Sequence, residues 1–174
     1  MSGRAGEAQL SAEDLVGWFA DVWRSPDYET FCRRAVGRFA DDVRMLQPLM
    51  RTHRGPDAFC RNIATLFALM PGVQGRVLDW RGDGRTVFIE FHLEGTVGRR
   101  AVRVHACDRF SVTGGRVTER HSFFDSAPLL LAVLRSPRAL LGLPTLRRRA
   151  RMLYETAFPS GFTTSQVPPN STTL

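Results

Sequence analysis

The sequence contains no lysine at all. All 24 of its basic residues are arginines, they outnumber 17 acidic residues, and the formal net charge is +7. The arginines are spread along the chain except for one cluster within residues 147–151. No basic stripe is interleaved with aromatic residues, so the charge does not predict a nucleic-acid partner. We interpret the cluster as a solvated helix face.

Cysteine is also scarce. The three cysteines, Cys32, Cys60 and Cys107, are odd in number and widely spaced, and no Cys-x-x-Cys motif is present. This pattern predicts neither a disulfide framework nor a zinc site, and we expect reduced thiols that are mostly buried. No glycine-rich phosphate loop, His-Glu-x-x-His motif or nucleophile elbow occurs. We therefore predict no cofactor and no bound metal.

Long apolar runs are absent as well. The longest one, residues 127–134, is interrupted by Pro128 and is far shorter than the roughly 20 residues of a membrane span. Residues 1–11 are polar and lack the apolar core of a signal peptide. These patterns predict a cytoplasmic protein with no membrane span.

The length of 174 residues is typical of one domain. We predict a flexible N-terminus at residues 1–10, a pocket domain at 11–126, a helical extension at 127–158 and a disordered tail at 159–174. The tail is rich in proline, serine and threonine and has little apolar surface to bury. Within the extension, we expect Pro137 and Pro144 to break the helix.

Two periodicities divide the pocket domain. Apolar residues spaced for helices predict three of them, beginning at Ser11, after Ser25-Pro26 and at Gly55. From Val73 onward apolar and polar residues alternate, which is typical of strands with one buried face. The predicted strands are residues 43–49, 73–81, 85–94, 99–113 and 116–124.

Alternation also assigns the faces of the sheet. Val87, Ile89 and Phe91 share one face, and Val102, Val104, Ala106, Phe110 and Val112 share the matching face of the next strand. The opposite face then brings Glu90 and Glu94 beside Arg103 and Arg109, where opposite charges attract across strands. It also carries His92, His105 and His121, and we interpret it as a polar or dimer-forming surface.

Asp108 breaks the pattern because it lies in phase with the apolar row. A buried carboxylate must be paired, protonated or next to water. Asp108 is therefore either a member of a structural ion pair or the acid of a pocket.

The neighbours of Asp108 depend on the turn that follows. If residues 114–116 form a three-residue loop, Asp108 lies opposite Ser122, with Arg120 one diagonal step away. If only Gly114-Gly115 turns the chain, the register shifts by one residue, and Asp108 faces His121 and Glu119 of the return strand instead. The apolar pattern alone leaves both registers open.

Three stretches resemble the nuclear transport factor 2-like superfamily, and within it the SnoaL-like polyketide cyclases, ketosteroid isomerases and limonene epoxide hydrolases. They are FADDV at residues 39–43 with Gln47-Pro48 after it, HRGPDAF at residues 53–59, and residues 108–125 from DRF to FFD. The resemblance covers roughly residues 10–126. It implies a cone-shaped α+β barrel, a cystatin-like roll, in which three N-terminal helices pack on a curved antiparallel sheet. The extra C-terminal helical segment lies beyond it.

The resemblance also implies a site, and it favours the register that places Asp108 opposite Ser122. Asp108 is similar to the isomerases' protonated acid, which donates to an oxyanion. Gln47 stands where isomerases have a carboxylate base, Ser122 where cyclases and epoxide hydrolases have an Asp, and the isomerase tyrosine has no counterpart. The expected catalytic residues are Asp108, Arg120 and Ser122. The expected substrate-binding residues are Gln47, Trp18, Phe19, Ile89, Phe110 and Phe124.

Two functions follow as alternatives from the resemblance. The first is an enzyme that cyclises, isomerises or dehydrates an apolar polyketide-, steroid- or terpenoid-like molecule. The second is a non-catalytic ligand-binding protein or dimeric scaffold, in which Asp108 and Arg120 only neutralise each other. In both cases we expect a homodimer. The apolar residues of the extension must dock on the open end of the pocket, on a second copy or on a membrane surface. We expect docking on the domain itself or on a second copy, because Pro137 and Pro144 leave pieces too short for a strong amphipathic helix.

Overall fold

The computed structural model describes residues 10–48 and 52–161. Within these ranges five helices pack on a curved, mixed sheet of six strands in the order β2-β1-β6-β5-β4-β3, which is not closed into a complete barrel. This confirms the predicted α+β cone. Most of the expected flexible N-terminus and most of the expected disordered tail lie outside the described residues.

The elements follow the predicted order along the chain. They are α1 (Ala12–Trp23), α2 (Tyr28–Val36), β1 (Phe39–Leu46), β2 (His53–Arg54), α3 (Pro56–Leu69), β3 (Gln74–Gly82), β4 (Thr86–Val97), β5 (Arg100–Thr113), β6 (Arg116–Phe124), α4 (Ala127–Leu134) and α5 (Pro137–Ala157).

Local side-chain contacts set where the first three helices begin. Ser11 and Asp14 form a capping box at the start of α1, which agrees with the predicted beginning at Ser11. Asp27 caps α2 by accepting a hydrogen bond from the Thr30 amide at 2.8 Å, so this helix begins after Ser25-Pro26 as expected. Gly55 precedes α3 with φ of 82°, a backbone conformation that glycine adopts without strain.

The sheet differs from the predicted antiparallel one at β1. This strand pairs with β6 in parallel, which makes the sheet mixed. It also begins at Phe39, before the predicted start at residue 43, because α2 already ends at Val36 with Gly37 as its cap. The Phe39 side chain is buried in the core. Residue 49, the expected end of this strand, lies outside the described ranges.

The hairpin of β5 and β6 combines features of both predicted registers. Gly114 and Gly115 form a two-residue turn with φ of 58° and 71°, and Thr113 pairs with Arg116. A β-bulge at Thr118 then adds one residue to β6, so Asp108 lies opposite Ser122. The Thr118 hydroxyl donates to the Ser111 carbonyl at 3.2 Å across the bulge. The bulge, and not a longer loop, therefore turns Asp108 toward Ser122.

The C-terminal extension docks on the pocket domain. Pro137 separates α4 from α5 as predicted, but α5 continues through Pro144, so the predicted second break is wrong. An interior proline costs a helix about 3 kcal/mol through a lost hydrogen bond and a ring clash, and here α5 packs along α3 with Ala150, Tyr154 and Ala157 buried. The Tyr154 hydroxyl donates to the Asp57 carboxylate of α3. Within the described residues, no helix combines the length and apolar character that a membrane crossing requires.

Candidate functional site

A cavity of about 200 Å³ lies between α3, the inner face of the sheet and α4. Its wall is largely apolar, which suits an apolar ligand. Helix α3 contributes Phe59, Ile63, Leu66 and Leu69, the sheet contributes Phe91, Leu93, Val104 and Ala106, and α4 contributes Leu129.

A small polar group interrupts this wall. Asp108 and Ser122 are adjacent across β5 and β6, and both are buried. Arg120 lies on the same face of β6, two residues before Ser122. Further polar lining comes from Gln47, Asn62 and Thr65. The cavity therefore combines an apolar body with polar groups that can orient a ligand.

Asp108 and Arg120 form the most buried ion pair described. Their side chains are 0% and 11% exposed. The Arg120 Nε and Nη2 atoms lie 2.7 Å and 2.6 Å from the same oxygen, Asp108 Oδ2. The other oxygen, Oδ1, is buried and has no hydrogen-bond partner among the described residues. The Arg120 contacts therefore leave Oδ1 unpaired among the described residues, on a carboxylate that belongs to the cavity lining.

The Arg120 guanidinium is held from a second direction. Its Cζ atom lies 5.7 Å from the centre of the Phe59 ring, within cation–π distance. The Phe59 ring packs edge-on against Phe39 at a centroid distance of 5.0 Å. Because strand, ring and carboxylate all restrict Arg120, its positive charge has a defined position at the cavity wall.

Five of the nine predicted site residues line this cavity: Asp108, Arg120, Ser122, Gln47 and Phe124. The other four, Trp18, Phe19, Ile89 and Phe110, pack in the core outside its lining. The rings of Trp18 and Phe19 lie 6.1 Å and 5.6 Å from Phe110 and fill that part of the cone. These four residues therefore lie outside the lining of this cavity, and their contact with a ligand stays a prediction.

Sequence reasoning missed the contribution of α3 to the polar lining. Asn62 and Thr65 are three residues apart, and Leu66 and Leu69 continue the same stripe at helical spacing. A polar pair beside an otherwise apolar helix stripe is a signal that could have been found. Leu129 was included only in a general expectation that the extension docks near the pocket.

Other reactive groups are not arranged for chemistry at this cavity. The Tyr28 hydroxyl donates to the Cys60 carbonyl at 2.7 Å, and burial raises the pKa of Tyr28. Cys107 precedes Asp108 but lies on the outer face, and partial burial followed by the charges of Asp108 and Glu90 raises its pKa. Both groups therefore keep their protons at neutral pH, and neither lines the cavity.

An α+β cone with an apolar cavity and an interior Asp–Arg pair defines a class of small-molecule pocket proteins. Residues 15–120 match the model of the SnoaL-like domain, which is more than half of the chain. The chain belongs to the SnoaL-like family, whose fold binds small molecules. A search of curated proteins finds no match.

Solved structures share the fold at low sequence identity. A protein from Jannaschia sp. CCS1, provisionally assigned as a SnoaL-like polyketide cyclase, is 16% identical with a TM-score of 0.64, covering 78% of this chain and 100% of its own. A Catenulispora acidiphila protein with a ketosteroid isomerase-like fold, solved with trimethylamine, is 16% identical with a TM-score of 0.59, covering 68% and 91%. An epoxide hydrolase from M. tuberculosis is 21% identical with a TM-score of 0.54, covering 77% and 95%. At these identities the likeness concerns the fold alone.

Proposed function

We propose that this protein is an enzyme that cyclises, isomerises or dehydrates an apolar polyketide-, steroid- or terpenoid-like molecule, with Asp108 as the proton acceptor. One observation carries the proposal: a buried carboxylate, Asp108, belongs to the lining of an apolar cavity, and its Oδ1 atom has no hydrogen-bond partner among the described residues. A buried polar atom without a partner costs stability, so its presence favours a functional role.

The ion pair suggests how Asp108 takes part. Two Arg120 donors contact Oδ2, a charge-assisted arrangement that fits an ionised carboxylate. Asp108 then accepts a proton through Oδ1, in contrast to the protonated donor of the resemblance. This acceptor role does not depend on a carboxylate at the position of Gln47.

Cyclisation, isomerisation and dehydration of ketones share a first step that this arrangement fits. The bond from hydrogen to the carbon beside a carbonyl breaks, the proton moves to Asp108 Oδ1, and the electron pair moves onto the carbonyl oxygen. Arg120 lies at the same wall and can stabilise that developing negative charge. Gln47, Asn62 and Ser122 are the polar groups that would orient the ligand.

A second function, ligand binding without catalysis, is favoured by the pairing itself. Arg120 neutralises the charge of Asp108 within the protein, and buried ion pairs with a purely structural role have the same geometry.

Whether or not the protein is catalytic, we propose a homodimer that pairs through the outer face of the sheet, where Phe88 and Phe123 are exposed. A cytoplasmic location stays a prediction.

The deciding experiment measures hydrogen–deuterium exchange beside the carbonyl of a panel of polycyclic ketones by NMR, with binding followed through the fluorescence of Trp23 at the cavity. Asp108→Asn should lower exchange at least about 100-fold while changing the dissociation constant far less. Glu119→Gln is the matched control, because Glu119 also pairs with arginines, Arg44 and Arg109, but at the outer face of β6. Binding without exchange in the wild type, or equal exchange in Asp108→Asn, would establish the non-catalytic alternative.

A further inference from the structure

Helix α4 is apolar on both of its faces. Ala132 and Val133 are buried, and Leu129 lines the cavity. On the other side Leu130, Leu131 and Leu134 are 52%, 46% and 63% exposed. At about 100° of rotation per residue these three leucines fall within an arc of roughly 100°, which we call the leucine face. A surface helix of a soluble domain usually carries polar residues there.

Arginines lie at the C-terminal end of the leucine face. Arg135 ends α4 and is exposed, and the Arg100 Nε atom donates to the Arg135 carbonyl at 3.2 Å. The exposed Arg99 is the next residue to Arg100. In the sequence, residues 126–154 hold six of the 24 arginines and none of the 17 acidic residues. Asp125 immediately precedes this range, at the start of α4. An apolar face with exposed arginines at its other end is complementary to an anionic surface that has an apolar interior.

We propose that the leucine face docks on an anionic lipid surface, with its three leucines at the acyl boundary and the flanking arginines at the lipid phosphates. This is the chemistry of an interfacial amphipathic helix, in which apolar burial and electrostatic attraction add. In this arrangement α4 lies along the membrane surface and does not cross the membrane.

Charge argues for lipid over a second copy of this chain. A two-fold contact places the same patch of both copies together. The patches of the two copies would then bring together Arg99, Arg100 and Arg135 of each, and Asp125 at the start of α4 could offset only part of this charge. An anionic lipid surface offers opposite charge to all of these arginines at once.

The position of α4 gives this contact a role. Leu129 of the same helix lines the cavity, so α4 touches the ligand site with one side and lipid with the other. Docking would place the cavity next to the phase in which an apolar ligand dissolves. Only this role rests on the proposed function, since lipid docking itself requires no ligand.

Sedimentation of the full chain with lipid vesicles tests the inference. We expect binding to vesicles of equal parts phosphatidylcholine and phosphatidylglycerol, much weaker binding to phosphatidylcholine alone, and a decrease with rising salt. The triple variant Leu130→Ser, Leu131→Ser, Leu134→Ser should bind at least about tenfold more weakly, from the lost apolar burial. Arg135→Glu should also weaken binding. Leu78→Ser, at an exposed leucine of β3, is the matched control and should bind like the wild type.

Three results would overturn the inference, and none depends on catalysis. The first is no binding of the wild type to the anionic vesicles. The second is equal binding by the triple variant, with circular dichroism showing that it is folded. The third is a lipid-free dimer that becomes a monomer in the triple variant by sedimentation velocity, which would assign the leucine face to a second copy.

Discussion

The two faces of β5 carry ion pairs of the same chemistry, one buried and one exposed. On the inner face Asp108 pairs with Arg120, and their side chains are 0% and 11% exposed. On the outer face Arg103 pairs with Glu94, and their side chains are 63% and 43% exposed. The contact distances are similar, 2.6 Å for the first pair and 2.8 Å for the second.

The difference in burial decides what each pair contributes. An exposed pair is screened by water and contributes about 0–1 kcal/mol. A buried pair loses hydration on both partners, so its net contribution is small, yet removing one partner leaves a charge that water cannot reach. Geometry alone does not distinguish the two pairs. The inner pair is therefore a fixed feature of the cavity, while the outer pair is replaceable.

Arg120→Met should have the largest effect on stability. The substitution leaves the Asp108 carboxylate buried without a countercharge, and the free energy of unfolding should fall by about 3–5 kcal/mol. Urea unfolding followed by circular dichroism measures the loss.

The double variant Asp108→Leu, Arg120→Met is the control for this substitution. Because it removes both charges, it should recover most of the lost stability. A loss below about 1 kcal/mol in Arg120→Met alone would contradict the comparison, since it would mean that water reaches Asp108 without the arginine.

The thiols extend the comparison to pH. A hydrogen bond with the Cys32 thiol, followed by burial, raises the pKa of Cys60, whereas Cys107 on the outer face is only partly buried. An unfolded thiol loses its proton above about pH 8.5 and the folded one keeps it. The free energy of unfolding should therefore fall as pH rises above that value, by up to about 1.4 kcal/mol per pH unit for each such group.

Urea unfolding at pH 8 and pH 10 measures this dependence. Cys60→Ala should flatten it even though the substitution lowers stability at both pH values, and Cys107→Ala should flatten it less. Equal flattening by the two variants would show that the outer face restrains a thiol as strongly as the core does.

The faces of the sheet could be predicted because successive side chains of a strand point to opposite faces, so the apolar alternation shows which side chains share a face. Asp108 stood out on parity alone, and the structure buries it completely. The register of β6 could not be settled in the same way. It depends on the bulge at Thr118, and nothing in the apolar pattern distinguishes a longer loop from an extra residue within the strand.

The sequence pattern also could not predict which of the inward-facing side chains line the cavity. Ile89 and Phe110 point inward as predicted, and so do Phe91 and Ala106, yet only the latter two line the cavity. Alternation along a strand tells which face of the sheet a side chain is on. It does not tell which part of the cone interior is filled by aromatic rings and which part is left as a cavity. The rings of Trp18 and Phe19 come from a helix whose position along the sheet is set by packing.

Glu94→Gln should have the smallest effect and is the outer-face counterpart of a substitution at Asp108. It removes one charge from a pair that is largely in water, so the free energy of unfolding should change by less than about 0.5 kcal/mol. A double-mutant cycle with Arg103→Met, measured at low and high salt, isolates the coupling, which should shrink as salt rises. A loss above about 2 kcal/mol that grows with protein concentration would contradict the exposed status of this pair. It would place Glu94 inside an interface between copies and so support the proposed pairing through the outer face of the sheet.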